Sequence, residues 1–195
     1  KKNNKYWIDK VSQEIKTTKP NIILNCAANQ SLKNDKRSIK DLLNSNLYSN
    51  INFLEQATQN NSFKGYISFG TKWEFNQNME FNPLNFYSAT KHAVKGLTES
   101  LSAEFVRFNS RAADILPGVI DTPMISKDIR QNLPKSGIWR LISSDEIAKT
   151  VWKAYNSNKI HWYVPEELEN FEQEVAKNPE EAREILKANG PLSSN

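Results

Sequence analysis

Ile22-Ile23-Leu24-Asn25-Cys26-Ala27 is the stretch on which the fold turns. Residues 21–27 form a nearly continuous apolar run that opens on β-branched side chains, a pattern that predicts a strand buried on both faces. Lys19-Pro20 closes a segment of helical period at about 6–17 just before it. The same alternation repeats downstream. A helix is expected over about 37–59, with Leu43, Leu47, Ile51 and Leu54 as its apolar stripe, followed by a strand at Gly65-Tyr66-Ile67-Ser68-Phe69. After a loop containing Asn82-Pro83 comes a long helix with Ala93, Leu97, Leu101 and Phe105 on one face. A third strand, Ala112-Ala113-Asp114-Ile115-Leu116, stops at Pro117-Gly118, and a helix at about 144–157 leads into a fourth, His161-Trp162-Tyr163-Val164. The tail from about 166 to 195 reads as two short helices, the second opened by Asn178-Pro179-Glu180-Glu181 and stopped by Asn189-Gly190. Strands alternating with helices of this length predict an α/β domain, a doubly wound parallel sheet with helices on both faces.

Composition narrows the function classes. The 195 residues suffice for a single domain with a real core, and a net charge of +4 comes from scattered Lys and Arg largely matched by Asp and Glu. No polybasic stripe points to nucleic acid. A single cysteine, Cys26, excludes an internal disulfide and a Cys-rich zinc site, and two histidines argue against a His-rich metal cluster. Its place in the apolar run predicts a small buried residue. No apolar run approaches the roughly 18 residues of a membrane span and no signal peptide is visible, so a cytoplasmic location is the default expectation.

In an open parallel sheet, ligands bind beyond the carboxyl ends of the strands, and the residues there carry the chemistry. Tyr87-Ser88-Ala89-Thr90-Lys91 sets a phenol and an ammonium one helical turn apart, on one face if the segment is helical. A phenol titrates near ~10, and a nearby positive charge lowers that value, which suits proton exchange with a hydroxyl or carbonyl. Asn25-Cys26-Ala27-Ala28 follows the first strand, where small residues permit either a flat ligand or tight packing. Ser68-Phe69-Gly70-Thr71 offers hydroxyls beside a glycine turn, as a site or as plain turn residues. Pro117-Gly118-Val119-Ile120-Asp121-Thr122-Pro123-Met124 is a shaped loop with backbone donors, or simply a sharp exit from the sheet. Asn46 lies mid-helix, where Asn is a poor former, so it is either exposed or held by a specific partner. The apolar residues of 124–143 (Met124, Ile125, Ile129, Leu133, Ile138, Trp139) suit a lid or ordinary core packing.

Taken in order, these segments resemble the short-chain dehydrogenase/reductase family, a Rossmann-like group, over roughly residues 6–165. Asn25-Cys26-Ala27-Ala28 resembles its Asn-Asn-Ala-Gly stretch, Asn46 its catalytic helix Asn, Tyr87 through Lys91 its Tyr-x-x-x-Lys element, and Pro117-Gly118 through Thr122 its nicotinamide loop. The resemblance implies NAD or NADP as cofactor and an alcohol or carbonyl as the small-molecule substrate. Tyr87 would be the acid/base, Lys91 its activator and a ribose ligand, and Thr71 the substrate-orienting hydroxyl. Asn46 would support a water on the proton path. Asn25, Ala27, Ala28, Pro117, Gly118, Val119, Ile120 and Thr122 would join Tyr87 and Lys91 around the cofactor. A homo-oligomer is implied through the Tyr87 helix and the one before it. In short-form members the catalytic Ser sits thirteen residues before the Tyr, and here that position is Glu74. Phe69-Gly70-Thr71-Lys72-Trp73 is more similar to the longer nucleotide-sugar members, with Ser68 as the fallback hydroxyl. None of the six glycines forms the G-x-x-x-G-x-G or G-x-G-x-x-G spacing that cradles a pyrophosphate, so the chain reads as lacking the family's first strands and turn. The alternatives are a nucleotide-sugar epimerase or dehydratase, and a Rossmann-like binding module without turnover.

Overall fold

A computed structural model describes residues 4–29, 35–70, 86–123, 125–178, 180–181 and 184. Helix α1 (Asn4–Thr18) ends at Lys19, whose φ of 48° turns the chain ahead of Pro20. Strand β1 (Ile22–Asn25) leads to α2 (Lys36–Leu43), whose N-terminus is capped by Asp35 accepting from the amides of Arg37 and Ser38. A wide π turn, Asn44–Tyr48, joins α2 to α3 (Ser49–Ala57), and β2 (Gly65–Phe69) follows. Helix α4 (Phe86–Phe105) runs through a 3₁₀ turn, Val106–Phe108, into β3 (Arg111–Pro117) and the short β4 (Val119–Ile120). Then come α5 (Lys127–Asn132), β5 (Leu141–Ile142), α6 (Ser144–Tyr155), β6 (His161–Val164) and α7 (Leu168–Lys177).

The main sheet is parallel throughout, in the order β1-β2-β3-β6, with Asn25 opposite Ser68, Ser68 opposite Asp114 and Asp114 opposite His161. All four carboxyl ends therefore lie along one edge. On one face Ile8, Ile15, Phe53, Leu54, Phe63, Tyr66 and Phe105 pack together; on the other, Ile67, Ile115, Ile142, Ile147 and Val164 do. Each such side chain stabilises by about 1.5–3 kcal/mol, before the opposing entropy. A Cβ on Gly70, just after β2, would press on Leu116 Cδ2, so a larger residue there would displace that side chain on β3.

The four main strands and the long helices fall where the sequence pattern predicts them, but several buried faces differ. Of Leu43, Leu47, Ile51 and Leu54, only Leu54 is buried and Ile51 is exposed. The inward face instead carries Leu42, Ser45, Asn46, Ser49, Asn50 and Phe53. These polar groups tolerate burial because they are paired: Ser49 Oγ donates to Ser45 O at 2.6 Å, and Asn50 Nδ2 to Asn46 O at 2.5 Å. On α4, Ala93 is exposed while Thr90, Lys91, Val94, Thr98 and Phe105 are buried, with Leu97 and Leu101 half-buried at the margin of the core. The first strand stops at Asn25, so Cys26 is exposed beyond the sheet rather than buried in it. Leu24 is 46% exposed, because β1 borders the described sheet and pairs there with β2 alone. Beyond α7, Asn178 Oδ1 accepts the Glu181 amide, the cap expected of that segment.

Candidate active site

The carboxyl edge brings most of the expected residues together. Lys91 is 6% exposed and its Nζ donates to Phe69 O, the last carbonyl of β2, at 2.7 Å. The same Nζ stands 6.0 Å from the centroid of the Tyr87 ring. The i, i+4 spacing on α4 thus becomes a phenol and an ammonium gathered at the strand ends. The charge is felt across the edge: partial desolvation pushes the Cys26 thiol up from its ordinary value, and Lys91 pulls it the other way. Tyr87 is half-buried, whereas Ala27 and Ala28 are exposed beyond β1.

Asn46 is held rather than solvated, at 1% exposure inside the π turn. Its Oδ1 accepts the Asn29 amide at 2.7 Å, and its Nδ2 donates to Asn29 O and to Thr90 Oγ1, each at 3.0 Å. Thr90 Oγ1 in turn donates to Tyr87 O at 2.8 Å. The Asn46 carbonyl accepts from Asn50, which ties the turn to β1 because Asn50 Oδ1 also accepts from Asn25 Nδ2 at 2.6 Å and from Tyr66 Oη. Burial pushes the Tyr66 phenol well up, so it stays a donor. Asn25 Oδ1 accepts the Ala27 amide at 3.0 Å and so sets the path of the chain as it leaves the strand.

The loop after β3 is also fixed by pairing. Gly118 N donates to Val164 O at 2.8 Å, β4 pairs with β5 through Val119 and Ile120, and Arg130 pairs with Asp121 while donating to Thr122 O at 3.2 Å. Pro117 and Val119 are buried, while Gly118, Ile120 and Thr122 remain partly accessible. Thr71 lies outside the described residues, as do Lys72, Trp73, Glu74, Asn82-Pro83, Met124 and Asn189-Gly190. Ser68 lies under α4, 1% exposed, with its hydroxyl 3.3 Å from that of Thr98. Sequence reasoning missed Asn29, Asn50 and Thr90. The signal was the Asn- and Ser-rich run 44–52, too polar for a buried helix face unless each amide has a partner.

One turn further along α4 a second polar cluster forms, built from charges. His161 Nδ1 lies 2.8 Å from Asp114 Oδ1 and its Nε2 lies 3.0 Å from Glu99 Oε1. Lys95 Nζ stands 3.3 Å from Glu172 on α7 and 3.5 Å from Tyr163 Oη. Asp114 is fully buried and its Oδ2 accepts no hydrogen bond. Burial raises the Asp114 carboxyl more than His161 lowers it; burial lowers the His161 imidazole, but the hydrogen bond and charge of Asp114, with help from Glu99, raise it further. The pair therefore holds its shared proton to a higher pH than either group would alone. Burial first, and then the hydrogen bond to Glu172, push the Tyr163 phenol up as well.

A sheet edge with a Tyr–Lys pair on the helix after the second strand matches what is known of one family. The profile of the short chain dehydrogenase family matches residues 4–133, and the chain belongs to that family. Among characterised relatives, dehydrogenase/reductase SDR family member 6 of Rattus norvegicus is 36% identical over 74 residues, 32% of this chain and 29% of that protein. The acetoacetyl-CoA reductase of Synechocystis sp. is 41% identical over 63 residues, 31% of this chain and 26% of that one. The matches thus span under a third of those relatives' lengths. A short chain dehydrogenase from Burkholderia cenocepacia, solved in complex with NADP, superposes with a TM-score of 0.68 at 19% identity, covering 93% of this chain and 73% of that one. A 4-hydroxyisoleucine dehydrogenase complexed with NADH gives 0.61 at 20% identity, covering 83% and 74%. Among the described residues no helix is long and apolar enough to cross a membrane, and no group of three His, Cys, Asp or Glu is placed to hold a metal ion.

Proposed function

We propose that the chain carries the catalytic residues of an NAD- or NADP-dependent oxidoreductase that interconverts a carbonyl and a secondary alcohol. The observation that carries this reading is the Lys91 ammonium, buried at the strand ends, hydrogen-bonded to Phe69 O and 6.0 Å from the Tyr87 ring. A buried cation beside a phenol favours the phenolate, which makes Tyr87 a proton donor in reduction and an acceptor in oxidation. The donor set fits the nicotinamide end of the cofactor: an ammonium for ribose hydroxyls, small exposed residues at Ala27 and Ala28 for a flat ring, and the fixed loop Pro117–Thr122 for the carboxamide. Bound there, the nicotinamide supplies the hydride. Lys91 holds the ribose and biases the phenol, Asn25 and Asn46 fix the loop after β1, and Thr71 orients the substrate oxygen, since the Ser68 hydroxyl is buried under α4 against Thr98. Solved family members in complex with NADP and NADH support the same assignment of cofactor.

A homo-oligomer belongs to this reading. Tyr48, at the end of the π turn, and Ile51 on α3 are 52% and 43% exposed, beside an apolar groove of about 600 Å³ lined by Leu54, Leu97, Leu101, Phe105 and Phe108. A second copy of the chain covers this face, and a monomer by light scattering at micromolar concentration argues against it. The test of the main reading is NADH or NADPH turnover on a broad panel of ketones and secondary alcohols. Tyr87→Phe should lower kcat by about 10²-fold or more, the usual contribution of general acid–base catalysis. A variant as active as its parent sinks the acid–base role; nucleotide binding without any turnover favours the binding-module alternative.

A further inference from the structure

We propose that Thr90 is a positioning residue for Tyr87, holding the phenol in register with Lys91 through a hydrogen-bonded relay from the loop after β1. The inference rests on the acid–base reading of Tyr87 and goes beyond it, since Thr90 touches no reacting atom.

The relay is continuous. The backbone of Asn29 donates to Asn46 Oδ1 and accepts from Asn46 Nδ2, so two hydrogen bonds fix the plane of that amide. The remaining Nδ2 hydrogen is then directed at Thr90 Oγ1, 3.0 Å away. An amide nitrogen is only a donor, so the Thr90 hydroxyl must accept there and turn its own hydrogen elsewhere. It donates to Tyr87 O at 2.8 Å. The polarity of the chain is thereby set from end to end, and at 3% exposure Thr90 has little contact with water to replace either partner.

The second partner, Asn46, separates this role from mere satisfaction of a buried hydroxyl. A helical Thr usually settles its hydroxyl on the carbonyl one turn back, at i−3 or i−4. Thr17, Thr18, Thr58, Thr98 and Thr150 all bond the i−4 carbonyl, those of Gln13, Glu14, Leu54, Val94 and Glu146, and Thr58 reaches the i−3 carbonyl of Glu55 as well, at 3.4 Å. Thr90 bonds i−3 alone, at 2.8 Å, and that acceptor is the carbonyl of Tyr87 itself. It is also the one among these six that receives a hydrogen bond from another helix's amide, that of Asn46. The pull from Asn46 selects the rotamer, and the rotamer selects Tyr87. The turn bearing both catalytic heads is thus indexed to the loop where the ring of the cofactor would lie.

The test uses the full chain with ¹³C at Cζ of its six tyrosines, with the Tyr87 resonance assigned by its loss in Tyr87→Phe. Thr90→Val keeps the shape and removes both hydrogen bonds; Thr90→Ser keeps the hydroxyl. The expected result is that Thr90→Val moves the Tyr87 titration up by about half a unit or more, toward the ordinary ~10, as the ring drifts from the Lys91 charge. Thr90→Ser should restore the parent curve. A purely structural role lowers the unfolding midpoint and leaves the phenol where it was, so superimposable titrations of parent and Thr90→Val overturn the proposal. The acid–base reading stands or falls separately, on whether Tyr87→Phe retains turnover.

Discussion

Helix α4 grips the rest of the molecule through two polar clusters that use opposite physics. Around Thr90 and Lys91 the hold is mostly uncharged: amides and a hydroxyl, each directed at a single partner, with one ammonium among them. Around Lys95 and Glu99 it is ionic, with His161 between two carboxylates and Glu172 reaching over from α7. Neutral hydrogen bonds are directional and indifferent to pH, which suits fixing a reacting group to a fraction of an ångström. Ion pairs are strong when buried, tolerant of angle and dependent on a proton, which suits clamping elements together. The difference separates positioning from fastening on the same helix.

The comparison breaks hardest at the ionic cluster. His161→Ala leaves Asp114 as a fully buried carboxyl without its partner. Removing one side of a buried pair costs about 3–5 kcal/mol, and urea unfolding at pH 6 should show a loss of that order. Asp114→Asn added to His161→Ala should recover a large part of it, since the charge left behind is then gone. If the single variant loses under ~1 kcal/mol, within the range of an exposed pair, the cluster is no clamp.

At the neutral cluster the expected loss is smaller. Asn46→Ala strands the Asn29 amide and removes the donor to Thr90, at a cost of about 1–3 kcal/mol for unsatisfied buried groups. That loss should be the same at pH 5.5 and pH 8, because no member of the relay titrates in between. A strong pH dependence of the Asn46→Ala deficit would erase the distinction between the two clusters.

How much of this was legible beforehand follows from the same distinction. The strand and helix order was readable because continuous apolar runs and Pro or Gly stops are local signals, and they recur at 20–27, 65–70 and 112–118. Tyr87 and Lys91 were readable because i, i+4 places them on one face wherever the helix sits. The buried faces of the helices were not, since Ser45, Asn46, Asn50 and Thr90 look like surface until partners far along the chain are known. Asn46 and Thr90 are 44 residues apart, and His161 and Asp114 are 47 apart. Asp114 stands out only as a member of the third strand, because nothing local marks the histidine that lies opposite it in the register. Cys26 was misplaced for a related reason: the apolar run continues past the last residue that pairs with β2.

The smallest effect is the most specific. His161 is raised above its unfolded value near ~6.5, so the fold gains from the bound proton. That contribution is fully present below pH ~6.5 and is lost as pH rises through the folded value. The raised Asp114 carboxyl acts in the same direction, because the folded pair again binds the proton more tightly than the open chain does. Unfolding free energy should therefore fall between pH 6 and pH 8, and the fall should vanish when His161→Ala is combined with Asp114→Asn, which removes both linked groups. Glu99 adds to the rise from a side chain that is 53% exposed. Glu99→Gln should flatten the slope only in part and lower stability by less than ~1 kcal/mol at pH 6, as for other solvent-screened pairs. NMR titration of His161, with His92→Gln removing the other imidazole, reads the same quantity directly: its midpoint should drop slightly in Glu99→Gln and much further in Asp114→Asn. Equal shifts in the two variants would mean that the exposed carboxylate does as much as the buried one, and the cluster would then be a surface feature.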